Sequence, residues 1–296
     1  MFRLFTPLFA EIDSVTKTFA NDVSSRLIVA IAPVLSAGLT LWFLLWGILV
    51  MRGAIQQPVL EFLGKVVRTA LIVSLALGAG LYQSTVAELL RTAPDELAVA
   101  VAGEEPTFLY GLDNAPVVLG PEGSQREAAL IDRAASQGFA KAEDAFEKGS
   151  LVTHQGFAFC TFGVLMILAT VIMVGVGGAM ILVAKVVLAL LAALGPLFIA
   201  ALLFEQTKRF FERWVAMTAT YGLIIVLFAC VFTFMLGIFG NYMTGVNLDG
   251  KMNMAYGIGG ALVLTIVSVA LLKELHHLAV GLGGGYADRI PLLRWR

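Results

Sequence analysis

The stretch ALGPLFIAALLFEQTKRFFERW, residues 193–214, ends one long apolar run and begins another. Its first half contains the dipeptide Gly195-Pro196, and five charged side chains follow within nine residues. A proline inside a helix removes a backbone hydrogen bond and favours a bend, so we interpret this dipeptide as either a hinge or a tolerated kink. The charges predict an elbow between two membrane helices, where they contact partners or lipid or simply stay solvated. The elbow residues are Glu205, Thr207, Lys208, Arg209, Glu212, Arg213 and Trp214.

Composition excludes an ordinary soluble domain. Hydrophobic residues make up 59% of the 296 residues and charged residues 14%, against roughly 45–50% and 25% in soluble domains. The formal net charge of −1 gives no global basic surface for nucleic acid. The two cysteines, Cys160 and Cys230, lie in apolar runs and are interpreted as small buried hydrophobic residues.

Uncharged runs long enough to cross a bilayer as helices recur along the chain. They cover residues 27–51, 69–87, 214–243 and 252–272. A fifth apolar region, 149–204, carries the single charge Lys185. As one helix it would be on the order of 80 Å long, so it bends, crosses more than once or runs partly outside the membrane. The expected fold class is an all-α polytopic membrane protein with about five transmembrane helices.

The two polar segments have different patterns. Residues 1–26 carry one apolar stripe and predict an amphipathic helix, lying either at the membrane interface or on the protein's own bundle. Residues 88–150 hold 12 acidic and five basic residues. Within them, 103–123 is rich in Gly and Pro and predicts a loop. Ser124 and Glu127 fit a capping box, which predicts a helix from about residue 125 running on into the next membrane segment.

Basic residues are enriched in cytoplasmic loops. Placing connectors 52–68 and 205–213 and the tail 273–296 inside puts ten basic residues there. That arrangement has five spans, with the N-terminus and the acidic segment outside. A six-span arrangement with the N-terminus inside gives almost the same excess of basic residues on the cytoplasmic side. The elbow is cytoplasmic in both.

Few residues are candidates for a catalytic, metal-binding or ion-binding role. Lys185 is either a functional intramembrane charge or a side chain that snorkels to the cytoplasmic interface or marks the bend. His276 and His277 are adjacent and do not share a helix face, so no metal site is predicted. No cofactor motif or catalytic constellation is visible, and no enzyme activity is predicted. Small residues allow close helix approach, within the chain or between copies; they are Gly175, Ala179, Gly257 and Gly260.

Three stretches resemble the polytopic inner-membrane subunit of bacterial type IV secretion systems, the sixth of the VirB series in the TrbL superfamily. They are TLWFLLWGILVMRG (40–53), LYQSTV (81–86) and residues 185–227. In the last, Gly195-Pro196, an apolar run, Glu205-x-Thr207-Lys208 and the Trp214-led span follow the family order. The resemblance implies five spans, with 149–204 as one bent crossing. The implied domains are 1–26, 27–87, 88–150 (periplasmic), 151–272 and 273–296 (cytoplasmic).

The resemblance also implies a role. Such subunits form a small ring, such as a pentamer, in the inner membrane. The implied partners are minor and major pilin subunits, bitopic scaffold proteins, the machine's ATPases, membrane lipid and the transported DNA or protein. The expected function is a platform and channel component that supports pilus assembly and substrate passage. Two other functions stay open: a small-solute transporter or channel, and a pure membrane scaffold that never contacts substrate.

Overall fold

Helices form the secondary structure of the computed structural model, which describes residues 3–53, 59–102, 123–149, 154–245 and 251–282. No strand occurs within these ranges. In chain order the helices are α1 (Phe5–Met51), α2 (Val59–Leu77), α3 (Ala79–Leu81), a π-helical turn (Tyr82–Ala87), α4 (Glu88–Ala102), α5 (Gly123–Glu147), α6 (His154–Ala200), a 3-10 turn (Ala201–Leu203), α7 (Lys208–Gly245) and α8 (Lys251–Leu282).

Length and composition make several of these helices candidate membrane spans. Four qualify alone, and a fifth is obtained if α2 and the helix that follows it count as one broken span. The predicted class, an all-α polytopic membrane protein, is confirmed at this level. The uncharged runs 27–51, 214–243 and 252–272 lie inside α1, α7 and α8 respectively.

The N-terminal segment is part of a membrane-length helix. α1 continues from Phe5 to Met51 without a break, so the expected boundary between residues 26 and 27 is wrong as a structural division. Phe5 and Phe9 are buried against the bundle, as the bundle-packing interpretation requires. The apolar stripe predicted within residues 1–26 also includes Val15 and Phe19. These two side chains are exposed, because the buried face of α1 runs from Phe5 and Phe9 to Ala20.

A distant carboxylate caps the start of α1. Asp132 Oδ1 of α5 accepts hydrogen bonds from the backbone N–H groups of Leu4 (2.9 Å) and Phe5 (2.8 Å). Its Oδ2 accepts from the N–H of Thr6 (2.9 Å) and from the Thr6 hydroxyl (2.7 Å). The first N–H groups of a helix have no intrahelical acceptor, and negative charge is favoured there. Asp132 therefore fixes the N-terminus of α1 on α5.

The predicted span 69–87 is wrong in its bounds because the chain breaks inside it. α2 ends at Leu77, and the direction changes by 77° before the helical segment that begins at Tyr82. Gly78 lies at the break, where an added side chain would collide with the Ser74 carbonyl. The six residues that follow α3 form a π-helix, a rare geometry often found at functional sites.

The polar helix folds back instead of continuing. α5 ends at Glu147 and α6 begins at His154, so the prediction of one helix running on into the membrane segment is wrong. A side chain at Gly138 would collide with Thr170, and one at Gly163 with the Phe146 ring. α5 is therefore antiparallel to the first half of α6. Ser124 lies in the first turn of α5. The expected loop 103–123 lies outside the described residues except for Gly123, where α5 begins.

α6 is the central helix of the bundle. It is one continuous helix of 47 residues, so the alternative with two crossings in 149–204 is wrong. It packs against α1, α5, α7 and α8. Its buried residues from Phe162 to Leu188 belong to one hydrophobic core, and those from Leu191 to Ala200 belong to a second. The bundle thus has two cores, which meet just after Lys185.

Candidate functional site

The proline of the predicted hinge leaves one backbone carbonyl available. In an α-helix, the N–H of residue 196 would donate to the carbonyl of Ala192, but proline has no N–H. α6 nevertheless continues through Pro196 to Ala200. The hydroxyl of Tyr82, from the π-helical turn, donates to the Ala192 carbonyl. A side-chain donor from another element thereby replaces the lost helical hydrogen bond.

Gly195 makes room for that donor. Tyr82 is fully buried, and a side chain at position 195 would collide with its hydroxyl and ring. The glycine is therefore needed for close approach of the tyrosine. Gln83 fixes the same turn to α1, since its Nε2 donates to the Ser25 hydroxyl (2.7 Å) and to the Asn21 carbonyl (3.1 Å).

Trp214 completes the same cluster. Its indole N–H donates to the Leu191 carbonyl at 2.9 Å, one residue before the carbonyl that Tyr82 binds. Its ring stacks on Phe198, with centroids 6.1 Å apart. Trp214 is 6% exposed, so the expected contact of its side chain with lipid or partners is wrong. The hydrogen bond to α6 holds the indole inside the smaller core.

We call Tyr82, Gly195, Pro196 and Trp214 the hinge clamp. It joins the π-helical turn, α6 and α7 at the second of the two cores. Tyr82 and Trp214 each satisfy a carbonyl of α6 from outside that helix. Because both contacts come from other elements, the course of α6 around its proline depends on where those elements lie.

The elbow is a tight turn, and most of its charges are exposed. The Thr207 hydroxyl donates to the carbonyls of Ala201 (2.7 Å) and Phe204 (3.1 Å), so Thr207 closes the end of the α6 segment. Lys208 begins α7 and lies 3.3 Å from Glu212, both about half exposed. Exposed charged side chains also include Glu205, Arg209 and Arg213. The elbow thus presents both signs of charge on a short surface.

Lys185 is paired and buried. Its Nζ lies 2.7 Å from Asp95 Oδ2 of α4 and 3.6 Å from Asp13 Oδ1 of α1. The Lys185 side chain is 7% exposed, and those of Asp95 and Asp13 are 16% and 17% exposed. Because these partners belong to α1 and α4, Lys185 does not snorkel towards the elbow. It holds two other elements against α6.

A small cavity with a mostly apolar lining adjoins this ion-pair cluster. It has a volume of about 30 Å³ and is lined on its polar side by Asp13, Thr16, Arg91 and Lys185. Arg91 also pairs with Glu88 at 2.6 Å. Buried Asp95 Oδ1 and Arg91 Nε have no hydrogen-bond partner among the described residues. The volume is enough for a water molecule.

The four predicted packing positions behave differently. Gly257 is buried, and at Gly260 an added side chain would collide with the Tyr242 hydroxyl. That pair therefore serves packing of α7 on α8. Gly175 faces open space and Ala179 is exposed, so neither makes a close helix contact within the described chain. Contact with another copy stays a prediction for these two.

Sequence reasoning missed the residues that complete both clusters. Tyr82 and Asp95 belong to segments far from α6 in sequence, and no local sequence pattern predicts their contacts with Ala192 and Lys185. The one available signal for Tyr82 was its position in LYQSTV, one of the stretches that carry the family resemblance. Among the described residues, no group of three His, Cys, Asp or Glu side chains could hold a metal ion, and the residues of the two clusters match no cofactor motif.

The bundle and its clamp define a multi-pass helical membrane protein. The chain matches the family described as TrbL/VirB6 plasmid conjugal transfer protein over residues 39–275. That range contains Tyr82, the hinge and the elbow. The chain therefore belongs to the TrbL/VirB6 family, which confirms the resemblance seen in the sequence.

Related proteins align with most of the chain. A type IV secretion system protein VirB6 of Brucella abortus biovar 1 (strain 9-941) is 27% identical over 261 residues, covering 87% of this chain and 69% of that protein. A protein VirB6 of Agrobacterium tumefaciens (strain 15955) is 24% identical over 275 residues, covering 88% and 83%. The chain is thus a type IV secretion component of the VirB6 kind.

Proposed function

We propose that this protein is an inner-membrane platform and translocation-channel component of a type IV secretion machine, supporting pilus assembly and substrate passage. The observation that carries the proposal is the hinge clamp. Tyr82 of one family-like stretch and Gly195, Pro196 and Trp214 of another meet at one point of the fold. The proposal assigns no catalytic step to the chain.

In this proposal the clamp sets the position of the elbow. The basic side chains of Lys208, Arg209 and Arg213 face the cytoplasm and bind scaffold proteins, the machine's ATPases or anionic lipid. Exposure of these side chains supports the assignment, since contact with a partner requires it. A rigid link from the membrane core to the elbow lets events at the ATPases reach the bundle.

The extracytoplasmic side carries the N-terminal half of α1 and residues 88–150. Minor and major pilin subunits assemble there on a small ring of copies, such as a pentamer, and DNA or protein substrate passes through the machine. Gly175 and Ala179 support a contact between copies, because among the described residues Gly175 has open space for a side chain and Ala179 is exposed. The cytoplasmic position of the tail stays a prediction from the basic residues of 273–296.

A small-solute transporter is the first alternative. Its distinguishing feature would be polar groups that converge along a path through the membrane. Lys185, Asp13 and Asp95 do converge, but the cavity beside them, about 30 Å³, has room for little more than a water molecule. The second alternative is a scaffold that supports pilus assembly but never contacts substrate. This one differs from the main proposal only in the transfer step, so a functional test separates them.

The test is complementation of a deletion strain with elbow variants at matched membrane levels. We expect the double substitution Lys208→Glu/Arg209→Glu to abolish both pilus assembly and substrate transfer, because it reverses the charge presented to partners. The matched control Lys208→Arg/Arg209→Lys keeps the charge and should keep both activities. Loss of pili with normal transfer would favour the scaffold, and normal activity of the reversed variant would overturn the elbow assignment.

A further inference from the structure

An open apolar groove lies between the C-terminal half of α5 and the first half of α6. Its volume is about 440 Å³, and its apolar lining consists of Phe139, Ala142, Phe146 and Ile167. Phe146 packs against Gly163 of α6, where an added side chain would collide with its ring, yet this phenylalanine is still 39% exposed. The groove belongs neither to the hinge clamp nor to the ion-pair cluster, so neither of them explains it.

The helix face that lines the groove combines apolar and acidic side chains. Phe139, Ala142, Glu143, Phe146 and Glu147 line it and stand at positions i, i+3, i+4, i+7 and i+8 of α5, which is the spacing of a single helix face. Ala142 is buried, whereas both glutamates are exposed. The groove is therefore apolar at its floor and has two carboxylates at its edge, about 6 Å apart along the helix axis.

The two carboxylates are placed unfavourably for α5 alone. Like charges four residues apart destabilise a helix, and negative charge is disfavoured near a helix C-terminus, which here is Glu147. Lys141 pairs with Asp144 at 4.0 Å, and Lys148 lies beyond the end of the helix. Within the described parts of the chain, neither Glu143 nor Glu147 forms an ion pair. A cation supplied by a partner would offset both unfavourable effects.

These carboxylates determine what can cover the apolar floor. Lipid acyl chains do not fit, because carboxylates facing hydrocarbon are strongly disfavoured. DNA does not fit either, because two negative charges at the edge repel a polyanion. A protein segment that carries basic side chains beside an apolar one matches both the floor and the edge of the groove.

The segments of this chain that lie outside the described residues do not supply that match. Four of them are internal and contain no Lys or Arg: 54–58, 103–122, 150–153 and 246–250. The tail after α8 contains Arg289, Arg294 and Arg296, but the proposed function places it in the cytoplasm, opposite to α5. The occupant that the groove fits is therefore another protein.

We propose that this groove binds a short amphipathic helix of a pilus subunit, with an apolar side chain on Phe146 and basic side chains on Glu143 and Glu147. From Phe139 to Phe146 the groove is about two helical turns long, which suits anchor residues spaced i, i+3 and i+4. Basic residues one turn apart match the spacing of the two glutamates. That the partner is a pilus subunit rests on the proposed function, which places α5 where pilin assembles.

The test places a photoreactive side chain in the groove. Benzoylphenylalanine replaces Phe146 in the full-length protein, in cells that carry the complete secretion machine, and the crosslinked segment is identified by mass spectrometry. The same replacement of Phe19 is the matched control, because Phe19 is also exposed (42%) but does not line the groove. We expect a crosslink from position 146, and not from position 19, to a pilus-subunit segment with Lys or Arg beside an apolar residue.

Charge reversal gives the second readout. Asp144 is the neighbour of Glu143, is 55% exposed and does not line the groove. We expect Glu143→Lys to lower the yield of the crosslink from position 146 roughly tenfold or more, because it opposes a partner cation with a like charge. Asp144→Lys should leave the yield within about a factor of two. Equal effects of the two reversals, a crosslink to lipid or to another copy of this chain, or no crosslink would overturn the inference.

The inference and the proposed function fail separately. Complementation of the deletion strain by the wild-type protein reports the secretion role and does not depend on the groove. If the wild type restores pili and transfer while position 146 crosslinks only to lipid, the groove assignment falls and the secretion role stands. If position 146 crosslinks, with the expected charge dependence, to a basic segment of a cytoplasmic protein, the match between groove and partner chemistry stands and the proposed orientation falls.

Discussion

Removing one hydroxyl group should weaken the hinge clamp by a defined amount. Tyr82→Phe keeps the buried ring but leaves the Ala192 carbonyl without the donor that replaces the missing N–H of Pro196. Leaving a buried acceptor unpaired costs about 1–3 kcal/mol, and hydrogen bonds between membrane helices average roughly 0.6 kcal/mol. We expect a loss of about 1 kcal/mol in the free energy of unfolding, which is roughly a fivefold change in the folded-to-unfolded ratio.

The proline provides the decisive second variant. Pro196→Ala restores an N–H that can donate to the Ala192 carbonyl along the helix. In that background Tyr82→Phe should cost close to nothing, so the coupling free energy between the two positions should be about 1 kcal/mol, within the usual range for residues in contact. Helical circular dichroism during reversible unfolding by SDS in mixed micelles measures all four proteins.

A matched control separates the clamp from a general effect of losing a hydroxyl. Tyr256 is 70% exposed, so Tyr256→Phe should change the unfolding free energy by no more than a few tenths of a kcal/mol, as is usual for surface substitutions. Equal costs of Tyr82→Phe with and without Pro196 would refute the reasoning. They would mean that the tyrosine does not compensate for the proline.

Three further substitutions should lower the free energy of unfolding, because each removes a specific contact. Asp132→Ala removes the cap of α1 and should cost about 1–2 kcal/mol; limited proteolysis at the start of α1 should become faster, whereas unchanged protection would contradict the cap. Lys185→Met leaves two partly buried carboxylates without their cation and should cost at most about 3–5 kcal/mol, the range for breaking a fully buried pair. Adding Asp95→Asn should recover part of that loss in the same unfolding assay, and no recovery would argue against the ion pair. Trp214→Phe removes the indole N–H bonded to Leu191 and should cost about 1 kcal/mol, and a neutral result would exclude that bond.

The positions of most membrane helices could be predicted from sequence because their cause is local. A run of about 20 uncharged apolar residues can satisfy its backbone only as a helix in lipid. This is why 27–51, 214–243 and 252–272 all lie inside helices. The breaks between helices were harder to predict. α2 ends just before Gly78, inside an apolar run for which composition alone predicts one continuous helix.

The candidate site could be predicted only in part, because its partners are distant in sequence. Gly195 and Pro196 by themselves predict an irregular helix. The tyrosine that completes the site, however, is 110 residues away from its acceptor Ala192 in sequence. The expected contact of Trp214 with lipid or partners was wrong, because a tryptophan at the end of a span is common at membrane interfaces and the sequence does not show that a buried carbonyl, that of Leu191, binds its indole N–H. The pairing of Lys185 with α1 and α4 depends equally on tertiary structure.

Substrate transfer by two glycine variants tests the central claim most directly. Gly195→Ala and Gly47→Ala make the same chemical change inside a helix, but only the first places a methyl group against Tyr82; the second meets open space. Transfer frequency is measured in the deletion strain at equal membrane levels of each variant. We expect Gly195→Ala to abolish or sharply lower transfer and Gly47→Ala to match the wild type. Wild-type transfer by Gly195→Ala would contradict a role for the hinge clamp in secretion.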